Sequence, residues 1–442
     1  MGAGTVLIAG CISTDDNGNG GNGGNGGNGG NGGNGGNGGN GGNGDMADEI
    51  SVWTHGTLPP AWEAAADEYT AENDGVSINI EELGFDENIS QYNTAVASGQ
   101  GAPSIGIQEG RDTPGMIARG GLADVSGMMS DGAEDVFVDW KWAPIEGFDG
   151  DGIYGLPMDT APVVTFYNRS MYDQAGFAPE DIETYYDLID LGEELGDDQF
   201  VLSWAPEMLG IRWEIFYRQK GEQIYTEDGA LNIDTDATAE IAEVMLDLYE
   251  ADVMDRTDEF TESWFAALND DRYATVTSGA WMAGALEDSL EGQDGNWGMH
   301  RCPALHDGDA RASNHGGSSV VFASQLDDAE IARAYDFAEF FLTDTERCMM
   351  LGTEAGVFPA NEETYGDSFW EEPQEYFDGQ SYELILEVAE EVPELRYHEE
   401  HAEVLDEMET QLEEVLQGNV APDEIGAEAQ EAVADRTGLD TA

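Results

Sequence analysis

The chain has 442 residues, 93 acidic and 15 basic, for a formal net charge of −78. Thirteen Arg and two Lys scattered along it make no basic face, which excludes nucleic-acid binding by counterion displacement and polybasic docking on an anionic membrane. Ten Trp, 16 Tyr and 16 Phe lie in periodic apolar segments and argue against disorder, so the acids read as a solvated surface suited to brine, where the Debye length at 1 M salt is about 3 Å.

Residues 1–10 are small and apolar and end at Cys11. The run is too short for a spanning helix, which needs about 20 apolar residues. Leu7-Ile8-Ala9-Gly10-Cys11 instead matches the lipobox at which secreted lipoproteins are cleaved and the Cys is lipidated. Asn17 to Gly44 is an almost pure Gly-Gly-Asn repeat. It has no side chain to bury and predicts a flexible coil with a mean reach of roughly 30 Å. The expected organisation is a leader remnant at 1–11, a tether at 12–47 and a globular body from 48 onward.

In the body, 50–54 reads as a strand, Pro59-Pro60 as a turn, 61–73 as an amphipathic helix and 76–80 as a second strand. A helix over 89–98 and a strand at 104–107 follow, and apolar positions recur at helical spacing in 383–395 and 402–416. The alternation predicts an α/β fold with a parallel sheet and a ligand crevice at the carboxyl ends of its strands.

Residues 153–176, with Tyr154-Gly155-Leu156-Pro157, a strand ending Tyr167-Asn168 and a helix ending Ala175-Gly176, resemble the extracellular solute-binding proteins of carbohydrate ABC importers, relatives of maltose-binding protein. Further segments fall in the family's order: Ser98-Gly99-Gln100-Gly101-Ala102-Pro103, Gly120-Gly121-Leu122, Gly316-Gly317-Ser318-Ser319 and Phe358-Pro359-Ala360. Ser104 stands where the family usually has Asp. The resemblance implies a two-lobed, periplasmic-binding-protein-like (type II) fold with the ligand cleft between the lobes. Lobe one would be 48–160 plus 316–361 and lobe two 161–315 plus 362–442, with crossovers at 160–162 and 313–316. With the acid surface, it also implies a lipid-anchored, extracellular protein of a halophilic archaeon that binds a solute, delivers it to membrane permease subunits, and needs no cofactor or metal.

A sugar offers an apolar face and a hydroxyl rim, so its site needs aromatic platforms and directed polar groups. Strand-end loops nominate Trp53, Thr54, His55, Gln108 and Glu109 from lobe one and Trp204 and Arg212 from lobe two. The resemblance adds Asp159, Trp281, Asn314, Gly316 and Gly317 near the crossovers. Trp140, Trp142, Trp213, Trp264, Trp297 and Trp370 are assigned to the core. His398-Glu399-Glu400-His401 departs from the His-Glu-x-x-His metal motif and reads as a solvated helix face. Cys302 and Cys348 are expected as free thiols, and Asn88 and Asn168 stand in glycosylation patterns. No Gly-x-Ser-x-Gly elbow occurs, which argues against an enzyme. A polyamine or glycerol phosphate ligand, or a surface glycosidase, remains the alternative reading.

Overall fold

The computed structural model describes residues 46–148, 150 and 152–442. Cys11 with its leader, and the Gly-Asn repeat, lie outside the described residues. Ala47 is held at both of its backbone groups, its N–H donating to Ala329 O and its carbonyl accepting from Arg333 Nε.

Among the described residues the strands are β1 (Glu49–His55), β2 (Ser77–Leu83), β3 (Ile105–Glu109), β4 (Gly155–Pro157), β5 (Asp159–Thr160), β6 (Val163–Asn168), β7 (Leu202–Ser203), β8 (Met254–Asp255), β9 (Thr275–Gly279), β10 (Trp297–Arg301), β11 (Ser318–Val321) and β12 (Phe358–Pro359). Helices α1 (Pro59–Glu72), α2 (Phe85–Ser98) and α3 (Thr113–Ala118) link the first strands. The predicted turn at Pro59-Pro60 is the first turn of α1, where a residue without an N–H costs nothing and its fixed φ suits the helix.

The first sheet has the order β2-β1-β3-β11-β4. Only β1 with β2 and β1 with β3 are parallel, whereas β11 runs antiparallel to both β3 and β4. The all-parallel expectation fails because β11 enters the sheet at the carboxyl end of β3, with Ser318 opposite Glu109, and therefore runs away from it. The second sheet, β10-β6-β9, is antiparallel throughout. Val163 at the start of β6 faces Gly279 at the end of β9, which brings the segment after β9 to the same place.

Separate hydrophobic cores result. One is drawn from 50–158 and 320–360, with Trp62, Tyr92 and Phe337 fully buried. A second is drawn from 163–305 and 395–433, with Trp213, Phe216 and Met245 inside. A third cluster, from 164–312 and 370–388, also takes in Met349 and Phe358. Three stretches lie side by side between these bodies. β5 pairs with β12, Pro162 bridges Asn314, and Val163 N–H donates to Ser313 O at 2.8 Å.

The six Trp assigned to the core are all buried. Asn88 and Asn168 are both fully buried, their amides donating to Ile107 O and Asp271 Oδ1, so neither sequon presents its nitrogen for glycosylation. Cys302 and Cys348 are free and buried, in different cores. Burial pushes the Cys302 thiol up to about 12 and Cys348 in the same direction. In a Cys11→Ser chain, neither thiol should react with a disulfide reagent at pH 8 until denaturant is added, when both should. Labelling of the folded chain would contradict this packing.

Candidate functional site

The carboxyl end of β3, the start of β11 and the two crossovers converge on one patch, which carries a group of polar side chains. Asp159, on β5, is 9% exposed and its Oδ1 accepts from the Ser318 N–H at 2.9 Å. Burial pushes its carboxyl up to about 6, against the opposing pull of Lys141. Glu109, at the end of β3, pairs with Arg111 at 3.3 Å, yet burial still holds its carboxyl above the ordinary range. Gly316 has φ +95, and a Cβ there would stand 3.5 Å from Trp281 Nε1 and 3.6 Å from Glu109 Oε1. The indole and the carboxylate therefore flank the same glycine. Gly317, with φ +82, lies so close to Asp159 that a Cβ would meet its carbonyl oxygen at 2.9 Å. Both positions need a residue that enters the left-handed region without a Cβ.

Trp281 follows β9 and is half-buried, its Nε1 donating to His315 O at 3.0 Å. His315 stands edge-on to that indole at 5.7 Å. Burial, then the charge of Arg212, lowers its imidazole to about 3, so it is neutral across the physiological range.

The opposite wall comes from the helix Leu209–Gln219 and from residues 397–401. Arg218 is 2% exposed and donates through Nη2 to Tyr397 Oη at 2.8 Å, with Glu214 Oε1 at 3.8 Å. Its guanidinium lies 5.9 Å from the Trp140 ring centre. His401 Nε2 meets Glu214 Oε2 at 3.0 Å. The Tyr397 ring packs over Gly110, where a Cβ would lie 3.9 Å from Cζ, and Gly115 of α3 faces Glu399 O at 3.3 Å on the same measure. The segment after β3 thus touches the C-terminal region directly, and charged groups of both signs are enclosed between them.

Of the residues nominated by sequence, Glu109, Asp159, Trp281, Gly316 and Gly317 come together here. Four others do not. Trp204 is 1% exposed and packs among Tyr185, Phe216 and Arg212 in the second core, because its strand runs through that core rather than ending at the cleft. Arg212 is 2% exposed, donating to Thr277 O at 2.5 Å and to Glu259 at 2.7 Å. It braces the wall from behind. Asn314 spends its amide within the crossover, accepting from Ala161 N and donating to Gly316 O. Trp53 lies on the outer face of its sheet, its Nε1 donating to Glu81 of β2 at 3.1 Å, because strand alternation sends Ile50, Val52 and Thr54 inward instead.

Thr54 and Gln108 are fully buried below the strand ends, and Thr54 Oγ1 and Gln108 Oε1 have no partner. His55 closes β1 with its ring edge-on to Phe85 at 5.0 Å, and burial lowers it to about 4. Sequence reasoning missed Lys141, Arg218, His315, Tyr397 and His401. His401, expected on a solvated face, is fully buried. The scarcity of cations was the available signal, since a Lys or Arg in so acidic a chain is seldom a solubility device.

These features make the patch the candidate binding cleft of a solute-binding protein, the class in which comparison with known proteins places the chain. The chain belongs to the bacterial extracellular solute-binding protein family, whose model matches residues 64–377. It is 24% identical over 369 residues to an arabinooligosaccharide-binding protein of Halalkalibacterium halodurans, covering 81% of this chain and 82% of the relative. It is 28% identical over 338 residues to a lactose-binding protein of Rhizobium radiobacter, covering 72% and 75%. Among solved structures, an ABC-transporter-associated binding protein from B. animalis subsp. lactis, in complex with beta-1,6-galactobiose, superposes with TM-score 0.73 at 25% identity, covering 88% of this chain and 97% of the other. The lacto-N-biose complex of a Bifidobacterium longum binding protein gives TM-score 0.73 at 21% identity, covering 90% and 100%. The fold is the two-lobed type II binding-protein fold.

Arg212→Ala should strand Glu259 as an unpaired buried carboxylate and cost about 3–5 kcal/mol, measured by chemical denaturation. Little loss would mean that the pair is not sealed. Gly317→Ala should lower the melting temperature and weaken ligand binding together, because its obstacle is backbone and cannot turn aside.

Proposed function

We propose that this chain captures an uncharged sugar or oligosaccharide between its lobes and delivers it to the permease subunits of an ABC importer. The observation that carries this reading is the mixed-sign cleft. Glu109 and Asp159 offer hydrogen-bond acceptors, Arg111, Lys141 and Arg218 offer donors, and Trp281 offers an apolar face at the hinge. Hydroxyls both donate and accept, so a polyol satisfies groups of both signs, whereas a polyamine meets the cations and a phosphate ester meets the carboxylates. The arabinooligosaccharide- and lactose-binding relatives support the same ligand class.

In this reading the lobes are 48–160 plus 316–361 and 161–315 plus 362–442. Contacts made to both lobes only on closure drive the hinge. Binding, with no bond broken, is the whole activity. Cys11 carries the lipid anchor on the outer face of the membrane, and 12–47 is the tether that lets the body reorient toward the permease. The acid surface serves a protein working in brine.

A thermal-shift screen in molar salt against arabino-, galacto- and malto-oligosaccharides, polyamines and glycerol phosphates tests the assignment. A neutral oligosaccharide should raise the melting temperature in proportion to the logarithm of its concentration, about 2.7 kcal/mol of stabilisation at one hundred times Kd. A shift with charged compounds alone, or cleavage of a glycoside, would sink it. Trp281→Ala should weaken the affinity about tenfold or more, roughly the loss of one stacking platform, as read by calorimetry.

A further inference from the structure

Lys141 is one of two lysines in a chain with 93 acidic residues. The other, Lys220, does what an acid-rich surface leads one to expect, pairing with Glu240 at 2.8 Å and Asp309 at 3.1 Å. Lys141 is 2% exposed, and among the described residues its ammonium has neither a hydrogen bond nor an ion pair. Nζ lies 6.0 Å from the centre of the Trp140 ring, and a buried ammonium with no carboxylate in contact is costly, so a purely structural lysine here would be expected to sit against one.

Its position is fixed on both sides. The single turn Asp139–Lys141 is closed by the Lys141 N–H donating to Val138 O at 3.1 Å. Trp140 is pinned by its Nε1 donating to Ala389 O at 3.0 Å, and Trp142 packs edge-on against Phe137 at 5.6 Å. The stem therefore runs to the crossover, where Nζ lies over Gly317, 3.3 Å from where a Cβ would be. Arg218 Nε and Nη1 are buried without a hydrogen-bond partner among the described residues. Asp159 and Glu109 are the carboxylates whose fields reach it, and Arg218 is the opposing cation.

Resting on the sugar reading above, we propose that Lys141 is a specificity-determining ligand contact. Its ammonium donates to one hydroxyl of a vicinal diol while Asp159 or Glu109 accepts from the neighbouring hydroxyl. The arrangement discriminates by charge on both sides. A uronate would bring its carboxylate up to Glu109 and Asp159, and an amino sugar would bring its ammonium up to Lys141 and Arg218. Gly317 is part of the device, since any side chain there would occupy the space the ammonium needs.

The protonation states give the contact a readout that a structural lysine lacks. Burial lowers Lys141 to about 8, Arg218 adding to the shift and Asp159 and Glu109 opposing it. Above that pH the charged donor is lost, and below about 6 Asp159 is protonated and ceases to be a charged acceptor. Affinity should therefore be highest between about pH 6 and 8 and fall on both sides.

The experiment is calorimetric titration of the wild-type chain and of Lys141→Met with the neutral oligosaccharide giving the largest thermal shift, from pH 5 to 9.5, and with its uronate and amino-sugar counterparts at pH 7. Lys141→Met should bind the neutral sugar at least tenfold more weakly at pH 7. Its unliganded melting temperature should be unchanged or raised, because a buried charge is gone, and its affinity should be flat above pH 8. Wild-type affinity for the uronate and the amino sugar should be at least tenfold weaker than for the neutral compound. Equal affinity in Lys141→Met, an alkaline limb that survives in it, a wild-type profile without that limb, or tighter binding of the uronate would each overturn the proposal. A wild-type chain that binds no neutral sugar at all would overturn the sugar reading instead, before any variant is compared.

Discussion

The molecule turns on how the backbone crosses between its two lobes. Residues 158–163, 313–318 and 358–361 are laced by short bridges: β5 to β12, Pro162 to Asn314, His315 N–H to Ala161 O and Ala360 N–H to Met158 O. No apolar linker could serve, because the crossing is narrow and its peptide groups must find partners within it. Asn314 completes the pairing by bonding both ways, to Ala161 and to Gly316. A lattice of this kind resists shear yet allows a few dihedrals to change together, which is what a hinge needs.

The same lattice carries the chemistry. Asp159 is a crossover residue, Trp281 donates to the His315 carbonyl, and Gly316 and Gly317 bring the backbone close enough for Glu109, Trp281 and Lys141 to share one space. A ligand that engages these groups, as proposed above, would touch the crossovers themselves, and its binding energy would be available to bias closure without a relay through the lobes. The walls are held from behind by groups that never meet the ligand. Chief among them is Arg212, whose guanidinium ties the β9 carbonyl of Thr277 to Glu259.

The charge of the protein acts at two scales that should not be confused. On the surface most carboxylates are interchangeable, and individual ones carry no positional information. In the cleft burial makes each charge specific. Asp159 and Glu109 are pushed toward neutrality and Lys141 gives up its proton more readily than an exposed lysine, and on the proposal above their mutual balance sets which ligand charge is accepted. On the reading proposed above, a net charge of −78 answers to the solvent, whereas a handful of enclosed groups answers to the solute.

Much of this was legible in the chain. The first strands and helices were placed to within a few residues, since hydrophobic periodicity and the Gly and Pro punctuation are local signals. The segment 153–176 and the paired glycines pointed to the crossovers; Glu109 was nominated by its place at a strand end and Asp159 and Trp281 by the resemblance, and the fold brings these three to one patch. Trp53, Trp204 and Arg212 were misplaced because a strand-end position does not say which face a side chain takes or whether a core covers it. Lys141, Arg218 and Tyr397 could not be grouped from sequence, because they are far apart along the chain and meet only when the lobes pack. The sequence by itself determined the acid surface and the order of the first elements, which follow from composition and short-range pattern, while the two-lobed class came from the resemblance of 153–176 and the segments around it to a known family. Only the tertiary structure decided the sheet directions, the hinge pairing and the membership of the cleft, because burial and contact between distant segments are properties of the packed chain.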